Sequence, residues 1–451
     1  MNNNEQNKII IKNFTFKLIL LYAFFIFFQQ VFVINIGGSF KIPDLICLLI
    51  FLNTVYKFDF KIYTYPSIVL FFFFVVSSAI GFSYFLLTDG PSLYYSKFPI
   101  ALTELRFNVY LAPIIVYLYC LITWNLVNQI AGFKGSKNKI ILIYKWYLLS
   151  AVLSCLYALY AMIFVGNLGF PDLIPSIFDF RNSRPVDYPL RTIGFCSEPG
   201  QLAVMLFWPL LYSVYIPNIF NSKIQIFFSV IILLTLLLTF STFLLVFFGA
   251  WLGYEILQSK SKRILKILFI LILVVTLLYF LLDYYNLLDL IEYYYVGKLK
   301  EFIDPANSTG DGSGNQRAYS SALGFLVFLD FPLFGVGAGN SYYFLHLHQF
   351  DLPFYSSMLT HTTAPQSSHS MVLAEQGFIG YSLLILFFTL LLISSYKKRE
   401  VLNPTYIKCN IIGIATLFGA LFAIYPIYSN YLWFNVALLM CNLRKNTQLI
   451  D

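Results

Sequence analysis

The chain has 451 residues and a formal net charge of +8, and it is 59% hydrophobic but only 11% charged. A mean hydropathy of +0.75 excludes an ordinary water-soluble domain of this size, because apolar runs of this kind are membrane helices. The basic excess does not imply nucleic acid, since an anionic membrane leaflet is a sufficient partner for it.

In chain order, Lys8, Lys12 and Lys17 precede an apolar run from Leu18 to Ile36. The run is long and no A-x-A pattern follows, so it reads as a first membrane helix rather than a signal peptide. Apolar runs of about 20 residues predict spans near 14–36, 41–56, 66–87, 107–130, 140–166, 199–217, 223–239, 241–257, 264–283, 369–395, 406–425 and 428–442. The stretch 223–257 is too long for one span and is divided at Thr239-Phe240-Ser241-Thr242. The expected fold is therefore all-α, a polytopic membrane protein of about twelve transmembrane helices forming one membrane domain over 1–451.

With the amino terminus inside, 20 of the 29 Lys and Arg residues fall on the inner side, while most acids fall outside. That asymmetry places both termini in the cytoplasm. Cys47, Cys120, Cys155, Cys409 and Cys441 lie in apolar runs and Cys196 in a loop. They read as small packing residues rather than a disulfide framework.

Two outer segments, 167–198 and 284–368, are too long for simple connectors and form the expected active-site region. Charges within the spans are few and lie near their ends, unlike the midplane polar groups on broken helices that transporters use. The first segment carries Arg181, Arg184, Arg191 and Ser197-Glu198-Pro199. Ser197 reads as a helix cap with Pro199 in the first turn, which puts Glu198 at the outer mouth of the next helix. An interfacial arginine and an acid favoured by the helix dipole remain the plain alternative.

In the second segment, STGDGSGN (308–315) reads as a polar hinge, Asn315 as a helix cap and Arg317 as a first-turn residue. The apolar residues through Leu329 suit an amphipathic helix at the interface, and Pro332 ends it. Gly335, Gly337 and Gly339 permit a sharp bend or close approach to a ligand, although GxGxG alone more often means a turn. His369 opens the next span, where a capping or interfacial histidine is the alternative to a functional one. His346, His348, His361 and His369 lack an acid cluster or Cys pair, so no metal site is assigned.

The segments NQRAYSSALGFLVFLDFPLFGVGAGN (315–340) and SSHSMVLAEQGFIG (367–380), with Arg191-x-x-Gly194 and Glu198-Pro199, resemble the O-antigen polymerase and O-antigen ligase superfamily. The resemblance implies an inner-membrane enzyme whose active site faces outward. A growing glycan would leave undecaprenyl diphosphate for a sugar hydroxyl on a new lipid-linked repeat unit. It implies lipid-diphosphate-linked donor and acceptor oligosaccharides, the bilayer and a chain-length regulator as partners, with no cofactor. Arg191 and Arg317 fit the diphosphate, because arginine is permanently charged and bidentate. His369 fits the base, with Glu198 as its competitor. Arg181, Arg184, Gly335, Gly337 and Glu375 are further substrate-binding candidates. Glu198-Pro199 favours the polymerase branch over the ligase that passes finished glycan to lipid A-core. A lipid-linked oligosaccharide flippase is the alternative from another class.

Overall fold

The computed structural model describes residues 3–29, 31, 33–35, 39–57, 61–87, 102–133, 137–172, 191–196, 198–258, 313–345, 348, 365–398, 403–422 and 427–443. The expected span at 264–283 lies outside them, as do Arg181, Arg184, Ser197, His346 and His361. The described helices are α1 (Asn3–Phe25), α2 (Ile42–Tyr56), α3 (65–87), α4 (Leu102–Ala131), α5 (Lys137–Tyr160), α6 (Pro199–Tyr215), α7 (Ser222–Leu237), α8 (Phe243–Gln258), α9 (Ser313–Asp330), α10 (Ser341–Leu345), α11 (Ser368–Lys397), α12 (Pro404–Ala420) and α13 (Asn430–Asn442). A described helix overlaps each of the other expected spans. Four stretches are long and apolar enough to cross a membrane: Tyr65–Ser83, Ile114–Ala131, Asn138–Asn167 and Ser368–Lys397. Shorter apolar helices cover Phe14–Phe25, Ile42–Tyr56, Ser222–Leu237 and Phe243–Gln258.

Local chemistry sets several boundaries. The first helix stops at Phe25, short of the expected 36, and the chain turns back through a two-residue antiparallel ladder, β1 (Ile34–Asn35) against β2 (Ser39–Phe40). Gly37-Gly38 lies between the strands and suits a tight return. The chain breaks between α7 and α8 at the expected Thr239–Thr242, with Phe240 in the left-handed region at φ 47. Asn221 and Asn403 cap α7 and α12 through their side-chain oxygens. Helix α9 begins at Ser313, so Asn315 lies inside it rather than at its cap, and Arg317 falls in the second turn.

The core is aromatic and continuous, with Trp208, Trp433, Tyr144, Tyr147, Tyr212, Phe73 and Phe207 at most 1% exposed. All six cysteines are buried and none is in a disulfide. Lys57 donates to Thr15 at 2.8 Å, Lys408 pairs with Glu255 at 3.1 Å, and Lys139 stands 5.4 Å over the Phe16 ring.

Two helices are irregular where they meet. Helix α3 carries a π-helical stretch at Phe72–Ser77, a distortion that often marks functional positions. Helix α11 is interrupted at Gly377, whose φ of 63 and ψ of −162 are not helical. The Pro-Leu-Phe-Gly-Val-Gly turn after α9 fills this break. Val336 and Gly337 donate to the carbonyls of Ala374 and Glu375, both at 2.9 Å. Phe378 and Ile379 donate to Pro332 and Leu333 at 2.8 and 3.3 Å. Irregular backbone inside a membrane protein persists only where protein satisfies it, and these four bonds do so. The expectation that charges lie only near span ends is therefore corrected. Glu375, fully buried and about 9 Å along the helix from His369, sits at a broken helix.

Candidate functional site

Several of the candidate residues gather at the start of α6. The segment 191–196 leads into it and is fixed at both ends. Arg191 turns inward, 8% exposed, and donates from Nε to the Thr239 carbonyl at 2.8 Å and from Nη2 to Phe240 at 3.4 Å. The Thr192 N–H bonds Leu238 at 3.1 Å and its hydroxyl bonds Thr235 at 2.9 Å. Thr235 lies in the last turn of α7 and Leu238, Thr239 and Phe240 follow its end, so Arg191 places its charge just beyond the negative end of a helix dipole. At the other end of the segment, Phe195 stacks between Phe28 (4.7 Å) and Tyr157 (4.5 Å). Cys196 rests against the sulfur of Met205 at 3.7 Å.

Helix α6 then starts at Pro199, with extended Glu198 as the N-cap residue and no side-chain cap. The sequence expected Ser197 there. Glu198 is exposed. Its carboxylate and the Arg317 guanidinium converge on Gly200. A methyl at that glycine would stand 3.7 Å from Glu198 Oε1 and 4.0 Å from Arg317 Nη2. Two candidates separated by more than a hundred residues thus share one place. Among the described residues the Arg317 guanidinium makes no hydrogen bond. A guanidinium without a hydrogen-bond partner among the described residues, beside a helix start, suits an anion.

His369 lies in the first turn of α11 and is 4% exposed. Its ring packs on Phe422 at 4.0 Å, Phe418 at 5.0 Å and Tyr381 at 5.7 Å. Nε2 lies 3.2 Å from the Phe418 carbonyl. A carbonyl only accepts, so Nε2 carries the proton and Nδ1 presents a lone pair. Nδ1 has no partner among the described residues. The neighbouring Ser370 donates to the Ser321 carbonyl at 2.6 Å, and Gln366 N–H bonds Ser320 at 3.2 Å. These bonds dock the start of α11 on α9, one turn beyond Arg317. No hydrogen bond or ring contact among the described residues joins His369 to Arg317, Glu198 or Arg191.

Glu375 is held by protein groups. Its carboxylate accepts from the Ser341 and Tyr428 hydroxyls, each at 2.6 Å, and from the backbone N–H groups of Gly339 and Ser341. Beside it, Gln376 accepts from Ser77 at 2.6 Å and donates to Ser78 and Tyr428, both at 3.3 Å. Gly335 and Gly337 are likewise in contact with protein. A methyl at Gly335 would fall 2.4 Å from the Glu375 carbonyl carbon, and one at Gly337 would fall 3.2 Å from Phe82 Cα. Packing against α11 and α3 accounts for both. His348 pairs with Asp330 at 2.9 Å.

The long apolar helices mark the chain as a membrane protein, and Arg317 and Glu198 meet at the start of α6. Residues 227–385 match the family model described as O-antigen ligase. The match contains Arg317, the glycine turn, His369 and Glu375, and it agrees with the resemblance of 315–380 to the O-antigen polymerase and ligase superfamily, whose members are membrane glycosyltransferase-like enzymes. No curated protein matches the chain.

Proposed function

We propose that the protein is an inner-membrane polymerase of undecaprenyl-diphosphate-linked oligosaccharide repeat units, acting on the outer face. The observation that carries this reading is Arg317, unpaired beside the start of α6 and Glu198. In the proposed reaction, a sugar hydroxyl of the acceptor unit attacks the anomeric carbon of the donor glycan. The bond from that carbon to the diphosphate oxygen breaks, and undecaprenyl diphosphate departs with the electron pair. Arg317 and the α6 N–H groups stabilise the departing diphosphate, as fixed donors stabilise charge that develops in a transition state. The hydroxyl proton passes to a base. Nδ1 of His369 supports that role through its lone pair, and Glu198 competes through its nearness to Arg317. Arg191 is assigned to positioning, because its donors hold the end of α7 in place.

The description of the matched family favours the ligase as the second reading. Banding of surface polysaccharide separates the two, since a polymerase null leaves single repeats and a ligase null leaves long chains on undecaprenyl diphosphate. The role assignments are tested with purified protein and lipid-linked repeat units. His369→Ala is expected to lose about a hundred- to ten-thousand-fold in rate at normal protein level. Near-wild-type polymerisation by that variant moves the base to Glu198. Full activity of both Arg317→Gln and Arg317→Lys removes the diphosphate role.

A further inference from the structure

We infer that Phe422 is a gate over His369, closing the imidazole off from water until an acceptor sugar takes the place of the ring. The inference rests on the reading of His369 as the base. Among the described residues the imidazole stands in a box of three rings. Phe418, in the last turn of α12, and Phe422, just beyond its end, have centroids 5.0 and 4.0 Å from that of His369. Tyr381 comes from beyond the break in α11, with its centroid at 5.7 Å. A straight helix would separate residues 369 and 381 by about 18 Å. The break at Gly377 is therefore what allows these two rings to meet.

The walls of the box are not alike. Phe418 is half-buried and braced at 5.7 Å by the buried Phe388. Tyr381 is half-buried too. Phe422 is 58% exposed, although it is the ring nearest the imidazole. Its backbone is pinned. The Phe422 N–H bonds the Gly419 carbonyl at 3.2 Å, and the Leu421 carbonyl accepts the Ser368 N–H at 2.9 Å and the Ser367 hydroxyl at 3.3 Å. The gate therefore moves by rotation of one side chain, which exposed residues complete within nanoseconds.

The base role requires a wall that moves. His369 is buried, and its Nδ1 is buried without a hydrogen-bond partner among the described residues. A base takes a proton only within about 2.6–3.2 Å of the hydroxyl, so an acceptor reaches Nδ1 only after a wall gives way. Phe422 is the wall that loses least packing by leaving. An aromatic pair of this kind favours contact by about two- to twelvefold, so the open position stays populated. The closed position has a use. Water that reached the base would stand in for the acceptor. Its oxygen would bond the anomeric carbon, its proton would pass to His369, and undecaprenyl diphosphate would depart with the electron pair. The glycan would be lost to hydrolysis, a side reaction that excluding water prevents.

The test reads the cover directly. Diethyl pyrocarbonate acylates an imidazole nitrogen that presents a lone pair, and peptide mass spectrometry gives the rate at His369 in detergent-purified protein. Phe422→Ala should label His369 about two- to twelvefold faster, and should raise the share of donor glycan released to water by a similar factor. Phe422→Leu keeps apolar bulk and should fall between the two, and it serves alone if the alanine variant does not fold. Neither melting temperature should fall, because the ring is largely exposed. Unchanged labelling of His369 overturns the inference, and so does faster labelling with no rise in hydrolysis. Equal acceleration at His348 together with a lower melting temperature marks general loosening and overturns it as well. Near-wild-type polymerisation by His369→Ala is a separate failure, which removes the base reading whatever Phe422 covers.

Discussion

Replacing Glu375 by alanine removes the acceptor that ties three segments together. Two hydroxyls at 2.6 Å and the N–H groups of Gly339 and Ser341 lose their common partner. A buried donor left unpaired costs about 1–3 kcal/mol. The Ser341 and Tyr428 hydroxyls can rotate towards other acceptors, so the expected loss is roughly 3–5 kcal/mol rather than the full sum of four donors. Glu375→Gln keeps the volume and one carbonyl oxygen, and should cost only about 1–2 kcal/mol. The assay is thermal unfolding in detergent at a fixed scan rate, because unfolding of such a protein is judged by rate. Tyr428→Phe supplies the second arm. Groups sharing a hydrogen bond couple by about 0.5–3 kcal/mol, so the double variant should be less damaged than the two single effects predict together. If Glu375→Ala unfolds with the unsubstituted protein, or if its effect adds fully to that of Tyr428→Phe, the clasp is not what holds the break in α11.

Gly377→Ala should destabilise by about 1–3 kcal/mol from backbone strain alone, with a further penalty because the methyl would meet the Leu333 carbonyl at 2.5 Å. Gly249→Ala, with nothing within 4 Å of the new methyl, is the control, and equal melting of the two variants would contradict the seam. Arg191→Lys should lower stability by about 1–2 kcal/mol, since one ammonium cannot reproduce two divergent bonds to Thr239 and Phe240. A variant with normal melting but no polymerisation would instead point to direct substrate contact. Cysteine introduced at Lys137 should resist impermeant labelling in intact cells, while cysteines at Arg184 and Asp311 should react. Labelling at 137 from outside would reverse the assigned orientation.

The sequence alone determined where the helices stand, because hydropathy is a property of a local window and membrane helices satisfy their own backbone. It also determined the division at 239–242, where an apolar run exceeded one span. Arg317, Glu198 and His369 were legible as candidates from short motifs and from charge outside the membrane that topology does not require. The tertiary structure decided what these residues touch. LAEQGFIGYS reads locally as unbroken helix, yet α11 breaks at Gly377 because residues some forty positions earlier supply its backbone partners. The same distance hid the engagement of Glu375 by Ser341 and Tyr428, and that of Arg191 by carbonyls 48 and 49 residues away. A hydrogen bond closed over hundreds of residues leaves no periodic trace in either partner, so only the packed chain reveals it.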